Sequence, residues 1–379
     1  MTAGWATGRP HHASNRPGPD RYSFDSGVSP WPYLSQAERV SFAIIDAAAC
    51  PGARACGCAP RSRYCTPIAN LPLICHVFDE LAAAGVDRVR VIAGPRVGDE
   101  LEQVLHGGGA WGVEVSYASP GETGGRMAVL AELEWVVADE PVLLYPGDCL
   151  FPGQVSTMWE RFSAGDVDAV VLGAENGTVR RQRNAATAPS PHVSSTPAIV
   201  GSPDGIVIDR LRSAGADQRD LAEWLRTCGC RVGVCELRGC WSYSDDTENL
   251  LAANRMMLDA LRVPAVEGSF GDNNLVDGRV AIGASARLSG CILHGPLAVG
   301  DDAVIEDSFV GPYTAIGAGA SLSGAEIDNT MVLAGAEISH PGQRIEGSIV
   351  GERASIVRSF ALPSGLHMRL EPHSRVTLS

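Results

Sequence analysis

Asp148 is the residue whose type and position most directly suggest chemistry. It follows the apolar stretch EPVLLYP and a glycine, and that stretch has the length and composition of a buried β-strand. A carboxylate at the end of such a strand suits a hard divalent cation that bridges phosphate groups. It can equally cap the turn that follows the strand. The residues around Asp148 leave both interpretations open.

The segment 46–66, DAAACPGARACGCAPRSRYCT, is the second candidate. It lies between a strand pattern and a helix pattern, which is where an α/β protein usually places its phosphate-binding loop. In a mostly parallel sheet, this segment and Asp148 both fall at the carboxyl ends of the strands, where ligands bind. We therefore expect them to belong to one site.

Cysteines are concentrated in two groups, for which zinc binding is the alternative use. The groups are Cys50, Cys56, Cys58 and Cys65, and then Cys228, Cys230, Cys235 and Cys240. Neither group has the paired C-x2-C spacing that presents two sulfurs to one ion. Small buried or loop thiols are therefore the favoured interpretation.

The charged residues exclude several kinds of chemistry and partner. All 30 positively charged residues are arginine, so no lysine can act as a phosphate clamp, a base or a Schiff-base former. The net charge of −14 and the pI of about 5.1 disfavour nucleic acid and anionic membranes as partners. No signal-peptide pattern opens the chain and no apolar run reaches membrane-spanning length, so we expect a reduced, cytoplasmic protein.

Strand and helix patterns alternate from Val40 onward. Apolar strands such as RVSFAII and VDRVRVIAG are separated by stretches with helical spacing such as LPLICHVFDELAAAG. This alternation predicts an α/β domain over residues 40–265, with a Rossmann-like, mostly parallel sheet and helices on both faces. Residues 1–39, rich in proline, glycine and serine, are predicted to form a mobile N-terminal extension.

Beyond residue 265, helical spacing gives way to a repeat. Ile282, Val299, Ile316, Leu333 and Val350 lie at successive steps of seventeen residues. Two further apolar tracks, which start at Ala286 and Leu288, skip the coil that contains SHPG and resume at Ala354 and Ile356. Three apolar anchors per coil predict a left-handed parallel β-helix of hexapeptide repeats, with about five coils and a C-terminal tail, over residues 266–379. The exposed faces of a β-helix also predict a homo-oligomer.

Four segments carry a resemblance to a known family. They are TPIANLPLICHVFDELAAAGVDRVRVIAG, YPGDCLF, LLAANRMMLDAL and, within the β-helix, VIEDSFVGPYTAIGAGASL. Together with the domain order, they are similar to the sugar-1-phosphate nucleotidyltransferases, and most to the long-form glucose-1-phosphate thymidylyltransferases of sugar-antibiotic pathways. The resemblance implies an enzyme that joins a nucleoside triphosphate to a sugar phosphate and releases pyrophosphate. It also implies Mg²⁺ held by two aspartates.

The phosphate-handling residues of the family are only partly kept. Of the loop G-G-x-G-T-R, the sequence ACPGAR retains Gly52 and Arg54, while Pro51 removes a backbone donor. The lysine that neutralises the leaving pyrophosphate is replaced by Arg63, and the sugar-phosphate lysine has no counterpart. The resemblance thus assigns nucleotide binding to Gly52 and catalytic roles to Arg54 and Arg63.

The nucleotide and metal residues match at some positions and depart at others. The glycine-rich turn that holds base and sugar matches GETGGRMAVL through Gly124. Asp148 matches the first metal aspartate and is therefore expected at both the nucleotide and the metal. The second aspartate falls on Tyr243 in the ungapped register, so Asp245 or Asp246 would reach the metal only through a shifted loop, and Asp245 is the one assigned to it.

These departures leave two functional hypotheses. The first is a divergent nucleotidyltransferase-like protein with lost or altered pyrophosphorylase activity, which binds a nucleotide or sugar nucleotide or regulates an active paralogue. The alternative is an active Mg²⁺-dependent enzyme that joins a nucleoside triphosphate to a sugar or cyclitol 1-phosphate. Losing both lysine contacts predicts a rate roughly a thousandfold lower or worse, which favours the first.

Histidines of the C-terminal region offer a third, weaker candidate. They are His294, His340, His367 and His373. A β-helix histidine can serve as the base of an acyltransferase, but solvated loop histidines are the favoured interpretation here.

Overall fold

The computed structural model describes the two folded regions of the chain with gaps at several connections. The described residues are 40–48, 62–120, 140–173, 198–201, 221–227, 229–237, 239–261, 269–270 and 273–358. The predicted extension 1–39 and the candidate residues Gly52, Arg54 and Gly124 lie outside them. The boundaries proposed for the extension and the two domains stay predictions.

Eleven strands belong to the first half of the described chain. They are β1 (Phe42–Asp46), β2 (Pro67–Ile68), β3 (Leu71–Pro72), β4 (Arg88–Ile92), β5 (Glu114–Ala118), β6 (Val142–Pro146), β7 (Cys149–Leu150), β8 (Ala169–Gly173), β9 (Ala198–Val200), β10 (Val232–Glu236) and β11 (Trp241–Ser242). Seven of them form one sheet in the order β10-β8-β9-β6-β1-β4-β5. Every neighbouring pair is parallel except the two that β9 makes.

Both faces of this sheet are covered. The helices are α1 (Leu73–Ala83), α2 (Pro95–Leu105), α3 (Gln154–Ser163), α4 (Leu221–Thr227) and α5 (Thr247–Ala260). Ala43 and Ile45 of β1 enter one apolar cluster and Ile44 enters another, because successive side chains of a strand point to opposite faces. The predicted α/β class is confirmed. None of these helices is long and apolar enough to cross a membrane.

The strand patterns missed four short strands. β9 has three residues, and β2, β3 and β11 have two each. Such lengths are too short for a period to be recognised, so only the tertiary contacts reveal them. β9 inserts antiparallel between β6 and β8, which makes the sheet mixed rather than wholly parallel.

The second half of the described chain is a left-handed β-helix, as predicted. Its strands are β12 (Ser269–Phe270), β13 (Leu275–Asp277), β14 (Val280–Ile282), β15 (Arg287–Ser289), β16 (Ile292–His294), β17 (Leu297–Val299), β18 (Val304–Glu306), β19 (Phe309–Val310), β20 (Thr314–Ile316), β21 (Ser321–Ser323), β22 (Glu326–Asp328), β23 (Met331–Val332), β24 (Glu337–Ser339), β25 (Ile345–Glu346), β26 (Ile349–Val350) and β27 (Ser355–Val357). They stack into three parallel sheets of six, five and five strands. On one of these sheets, Leu275 and Ile292 pair in register, and 58% and 40% of their respective surfaces are exposed. These apolar side chains are compatible with the predicted homo-oligomer, which stays a prediction.

The fourth coil corrects the predicted register. Val332, not Leu333, pairs with Ile316 and Val350, so the steps there are 16 and 18 residues instead of seventeen. Ile338 pairs with Leu322 and with Ile356, at the place that its track skips in the sequence. The coil is therefore complete. The step of 18 residues from Val332 to Val350 contains the SHPG stretch, which begins at the last residue of β24. Its one additional residue lies in the connection to β25, so the strands of this coil still stack on their neighbours.

The two halves share one apolar core. Ala281, Ala298 and Met331 of the β-helix belong to the same buried cluster as Leu73 and Phe78 of α1. Because this cluster is continuous, the β-helix packs as an extension of the α/β core.

Two asparagines add polar contacts across the same boundary. Asn254 of α5 is fully buried, and its Oδ1 accepts the Ala69 N–H (3.0 Å) while its Nδ2 donates to the Tyr313 carbonyl (2.9 Å). Asn70 Nδ2 donates to the carbonyls of Ala298 (3.2 Å) and Ile316 (2.8 Å). Ala69 and Asn70 form the turn between β2 and β3, so that turn is held by both α5 and the β-helix.

Helix α1 buries two adjacent carboxyl groups. The Trp111 indole N–H donates to Asp79 (2.8 Å), and the Tyr145 hydroxyl donates to Glu80 (2.7 Å). Burial raises the pKa of each carboxyl to about 7 despite these hydrogen bonds. Both groups therefore favour the protonated form in the folded protein more than in the unfolded chain.

We expect Glu80→Gln to stabilise the protein increasingly as pH rises. A carboxyl whose pKa is raised by folding stabilises the fold below its unfolded pKa, and this contribution is lost as pH rises to about 7. The glutamine stays neutral throughout, so the difference in free energy of unfolding should shift in its favour by about 2 kcal/mol between about pH 5 and pH 8. Urea denaturation at both pH values measures it. Glu160→Gln, at an exposed position of α3, is the control and should show no such shift.

Candidate functional site

The two segments singled out in the sequence meet at one edge of the sheet. β1 ends at Asp46 and its neighbour β6 ends at Pro146, and these last residues are in register. The chain passes from β1 to β4 on one side, while β6 lies on the other, so the crevice between β1 and β6 is a topological switch point. Ligands of open α/β sheets bind at such crevices, outside the carboxyl ends of the strands.

Gly147 lets the chain turn from β6 to Asp148 in a crowded place. Its N–H donates to the Asp46 carbonyl (3.0 Å). A Cβ atom here would lie 3.0 Å from Ile45 Cγ2 and 3.3 Å from the ring of Tyr64. Glycine is therefore favoured, because a Cβ atom would require the strand or the Tyr64 ring to move by a few tenths of an ångström.

A 3-10 turn, Arg63–Cys65, presents Arg63 to this edge. Tyr64 anchors the turn in the core, where it is fully buried. Before the turn, the Ser62 N–H donates to Glu100 Oε2 of α2 (2.7 Å), and after it the Leu73 N–H donates to the Thr66 carbonyl (2.9 Å). The backbone of Arg63 is thus held from both sides.

Arg63 and Asp148 form an ion pair at the centre of the candidate site. Arg63 Nη1 lies 2.9 Å from Asp148 Oδ2, and the two side chains are only 14% and 15% exposed. On the other carboxylate oxygen, Oδ1, the Cys149 thiol lies at 3.6 Å. Burial, and then the charge of Asp148, raises the pKa of the Cys149 thiol well above its ordinary value, so the thiol keeps its proton beside the carboxylate.

Tyr243 follows β11 directly and lies next to Asp148. β7 and β11 pair antiparallel with Cys149 opposite Ser242, and the Tyr243 N–H donates to the Asp148 carbonyl (2.9 Å). The Tyr243 ring lies beside the guanidinium of Arg63, with Cζ 5.6 Å from the ring centre. An aromatic ring therefore lies beside the guanidinium that is paired with Asp148.

The acidic residues that follow Tyr243 belong to the start of α5. Asp246 is the N-cap of that helix, and its Oδ2 accepts the Asn249 N–H (3.2 Å). The Asn249 side chain in turn binds the Ser244 N–H (2.9 Å) and the Ser242 carbonyl (3.2 Å). Asp245 is exposed to solvent in this hydrogen-bonded turn. Its role as a metal ligand stays a prediction.

The described donors do not fit Mg²⁺. That ion takes oxygen ligands in octahedral geometry and is usually bound through one or two carboxylates. Here Asp148 is already paired with a guanidinium, which repels a second cation, and Asp46 Oδ1 accepts the Ala48 N–H of its own turn (3.0 Å). Within the described part of the chain, no three His, Cys, Asp or Glu side chains are grouped as a metal site.

The cysteine and histidine candidates contribute no described cluster. Cys65 is buried beside the Arg63 turn, whereas Cys50, Cys56 and Cys58 lie outside the described residues. Cys230 and Cys235 enter different apolar clusters, so the sheet separates them. His294 is 41% exposed and 3.5 Å from Asp277, and His367 and His373 lie outside the described residues.

Sequence reasoning missed two residues that support the site. Tyr64 fills the space under Gly147, and Glu100 holds the backbone before Arg63 from a helix 38 residues away. The helical pattern of α2 predicts that Glu100 is near its surface, but only the packing of α2 against the turn shows what it contacts.

Comparison with known proteins agrees with this fold. The sequence model of the MobA-like NTP transferase domain matches residues 56–269, more than half of the chain. The matched range includes Arg63, Asp148 and Tyr243 and begins after Gly52 and Arg54.

Curated relatives extend over most of the chain. A glucose-1-phosphate thymidylyltransferase of Streptomyces antibioticus is 24% identical over 344 aligned positions, and the alignment covers 82% of this chain and 92% of the relative. One of Streptomyces griseus is 24% identical over 338 positions, with coverage of 84% of this chain and 94% of the relative. The low-salt glycan biosynthesis nucleotidyltransferase Agl11 of Haloferax volcanii is 26% identical over 333 positions, with coverage of 82% of this chain and 93% of the relative.

A solved structure also aligns, at lower similarity. It is a Bacillus anthracis protein named for glucose-1-phosphate thymidylyltransferase, in complex with sucrose, with 18% identity and a TM-score of 0.45 over 57% of this chain and 94% of that chain. The family match, which rests on the sequence model, is independent of it. This chain belongs to the MobA-like NTP transferase domain family, and nucleotidyltransferases of sugar 1-phosphates are among its relatives.

Proposed function

We propose that this chain binds a nucleotide or a sugar nucleotide in the crevice between the carboxyl ends of β1 and β6, and that it transfers nucleotidyl groups slowly or not at all. The observation that carries the proposal is the largely buried ion pair between Arg63 and Asp148, with the ring of Tyr243 beside the guanidinium. Such a binding protein would also be suited to regulate an active paralogue.

Binding is supported by the position and the chemistry of Arg63. The switch point of an open sheet is the usual place for a nucleotide, and Arg63 is held there by a turn with buried anchors. A guanidinium presents five N–H donors in a planar fork that matches phosphate oxygens. Because two relatives are named glucose-1-phosphate thymidylyltransferase, thymidine nucleotides and glucose 1-phosphate are the first ligands to test.

Slow transfer is supported by what surrounds the same residues. Nucleotidyl transfer needs positive charge focused on the leaving pyrophosphate, and each positioned charge contributes a few kcal/mol in the transition state. Here the charge of Arg63 is shared with Asp148, the ring beside the guanidinium is that of Tyr243 and carries no negative charge, and the chain has no lysine. We therefore expect a rate roughly a thousandfold below that of an intact site.

Pyrophosphate release tests the proposal directly. With each nucleoside triphosphate, a panel of sugar 1-phosphates and Mg²⁺, we expect the wild-type chain to release pyrophosphate roughly a thousandfold more slowly than an intact site, or no faster than the Asp148→Asn variant. In parallel, thermal unfolding should show that a sugar nucleotide raises Tm. Asp302→Asn, at an exposed carboxylate of the β-helix, is the matched control for both measurements.

Two results would contradict the two parts of the proposal. Turnover by the wild type at the rate of an intact site, abolished by Asp148→Asn, would establish the alternative, an active nucleotidyltransferase. Absence of any shift in Tm across the panel of nucleotides and sugar nucleotides would instead argue against binding at this crevice.

A further inference from the structure

We propose that the crevice binds a nucleoside diphosphate or its sugar ester without Mg²⁺, because Arg63 supplies the positive charge that neutralises Asp148. The inference rests on the proposed function and specifies it, since it names the ligand class and the ionic requirement of binding. It follows from the disagreement between the described donor set and a magnesium site.

The first step is the charge of Asp148. A lone carboxylate at the end of β6 would repel the phosphates of a ligand entering the crevice. Arg63 Nη1 lies 2.9 Å from this carboxylate, and the two side chains are only 14% and 15% exposed. Salt screens charges that are shielded from solvent in this way only weakly. The pair therefore removes the repulsion before any ligand or ion arrives.

The second step is the fixed position of the pair. The Arg63 backbone is anchored by the buried Tyr64 and by the contact from Ser62 to Glu100. Asp148 is anchored through its own carbonyl, which accepts the Tyr243 N–H (2.9 Å). A flexible surface ion pair would open readily, whereas this one is held at both backbones.

The third step is the aromatic wall beside the pair. The Tyr243 ring lies 5.6 Å from Arg63 Cζ and packs edge-on against Trp241 at 6.2 Å. The Trp241 indole N–H donates to the Asn249 carbonyl (2.8 Å), which holds this wall in place. A cation–π contact keeps the guanidinium at the site, and the ring supplies no oxygen pair with which Asp148 could chelate a metal ion.

Isothermal titration calorimetry of the full chain tests the inference with dTDP-glucose and dTDP as probes, each in excess EDTA and in excess Mg²⁺. For the wild type, we expect the Kd to differ less than about twofold between the two buffers. Binding that requires Mg²⁺ would overturn the inference while leaving the proposed function intact. No binding of either probe in either buffer, together with no shift in Tm across the panel of nucleotides and sugar nucleotides, would overturn the proposed function itself.

Two single variants should act in opposite directions. Arg63→Gln leaves the Asp148 carboxylate unpaired, so we expect affinity in EDTA to fall about tenfold or more and to recover partly in Mg²⁺. Asp148→Asn is isosteric and leaves the Arg63 charge uncompensated, so we expect equal or tighter binding in EDTA. Weaker binding by Asp148→Asn, with its thermal unfolding unchanged, would overturn the inference.

The double variant guards against a folding defect. Arg63→Gln with Asp148→Asn removes both charges together and avoids the isolated buried carboxylate. We expect this variant to bind more weakly than the wild type and with no dependence on Mg²⁺. If instead it binds only with Mg²⁺, the dependence does not arise from Asp148 and the inference fails.

Discussion

Gly300→Ala should lower the free energy of unfolding by about 3 kcal/mol, because overpacking against backbone cannot be relieved by a rotamer change. Three successive coils have a glycine directly after the strand residues that pair with one another, at Gly283, Gly300 and Gly317. A Cβ atom on Gly300 would lie 2.7 Å from the backbone N of Ala318 and 3.0 Å from the carbonyl carbon of Gly317. The next coil blocks the space into which a side chain would point.

The same position in another coil offers the control. Gly351 follows Val350 as Gly300 follows Val299, but an added Cβ there would meet nothing within 4 Å. We expect Gly351→Ala to change the free energy of unfolding by less than about 0.5 kcal/mol. Urea denaturation followed by circular dichroism compares the two variants. Equal effects would show that the cost arises from the glycine backbone rather than from the approach of the next coil.

Asn254→Ala should destabilise the protein by a similar amount, about 3 kcal/mol. The substitution leaves two buried backbone groups without their partners, the Ala69 N–H and the Tyr313 carbonyl. Each such group contributes a desolvation cost of about 1–3 kcal/mol when it is left unsatisfied. The Asn254 side chain is fully buried, so water cannot replace the lost hydrogen bonds without entering the core.

The control for Asn254→Ala is Gln103→Ala, which also removes an amide from a helix but at an exposed position of α2. We expect a change of less than about 0.5 kcal/mol there. Because Asn254 holds the β2–β3 turn just after the segment that carries Arg63, Asn254→Ala should also weaken binding of a sugar nucleotide. Loss of stability with unchanged affinity would show that the β-helix braces the fold but not the site.

Much of the fold was predictable because its signals are periodic. The alternation of apolar strands and helical stretches predicted the α/β domain, since each pattern extends over enough residues to reveal its period. The tracks from Ile282 to Val350 predicted the β-helix for the same reason. The fourth coil escaped this reasoning because a shorter step is followed by a longer one, and only strand pairing assigns Val332 and Ile338 to their places.

The site was predictable in location but not in its interactions. The positions of the strand ends and the resemblance to the family both predicted that Asp148 and Arg63 belong to one site, and the structure brings these two side chains together. That Arg63 would pair with Asp148 itself was not foreseen, because the sequence separates them by 85 residues and assigns each a different ligand. The predicted roles of Gly52, Arg54, Gly124 and Asp245 stay predictions.

The sequence by itself determined the two architectures, the family and the absence of lysine, since each of these depends on residue type and spacing along the chain. Tertiary structure decided which charges meet. Whether a carboxylate faces a metal ion, solvent or a guanidinium depends on distances of a few ångströms between segments that only the packed core brings together. In this protein the core places Arg63 against Asp148 and Tyr243 beside both, so the charge balance of the site follows from folding rather than from any single motif.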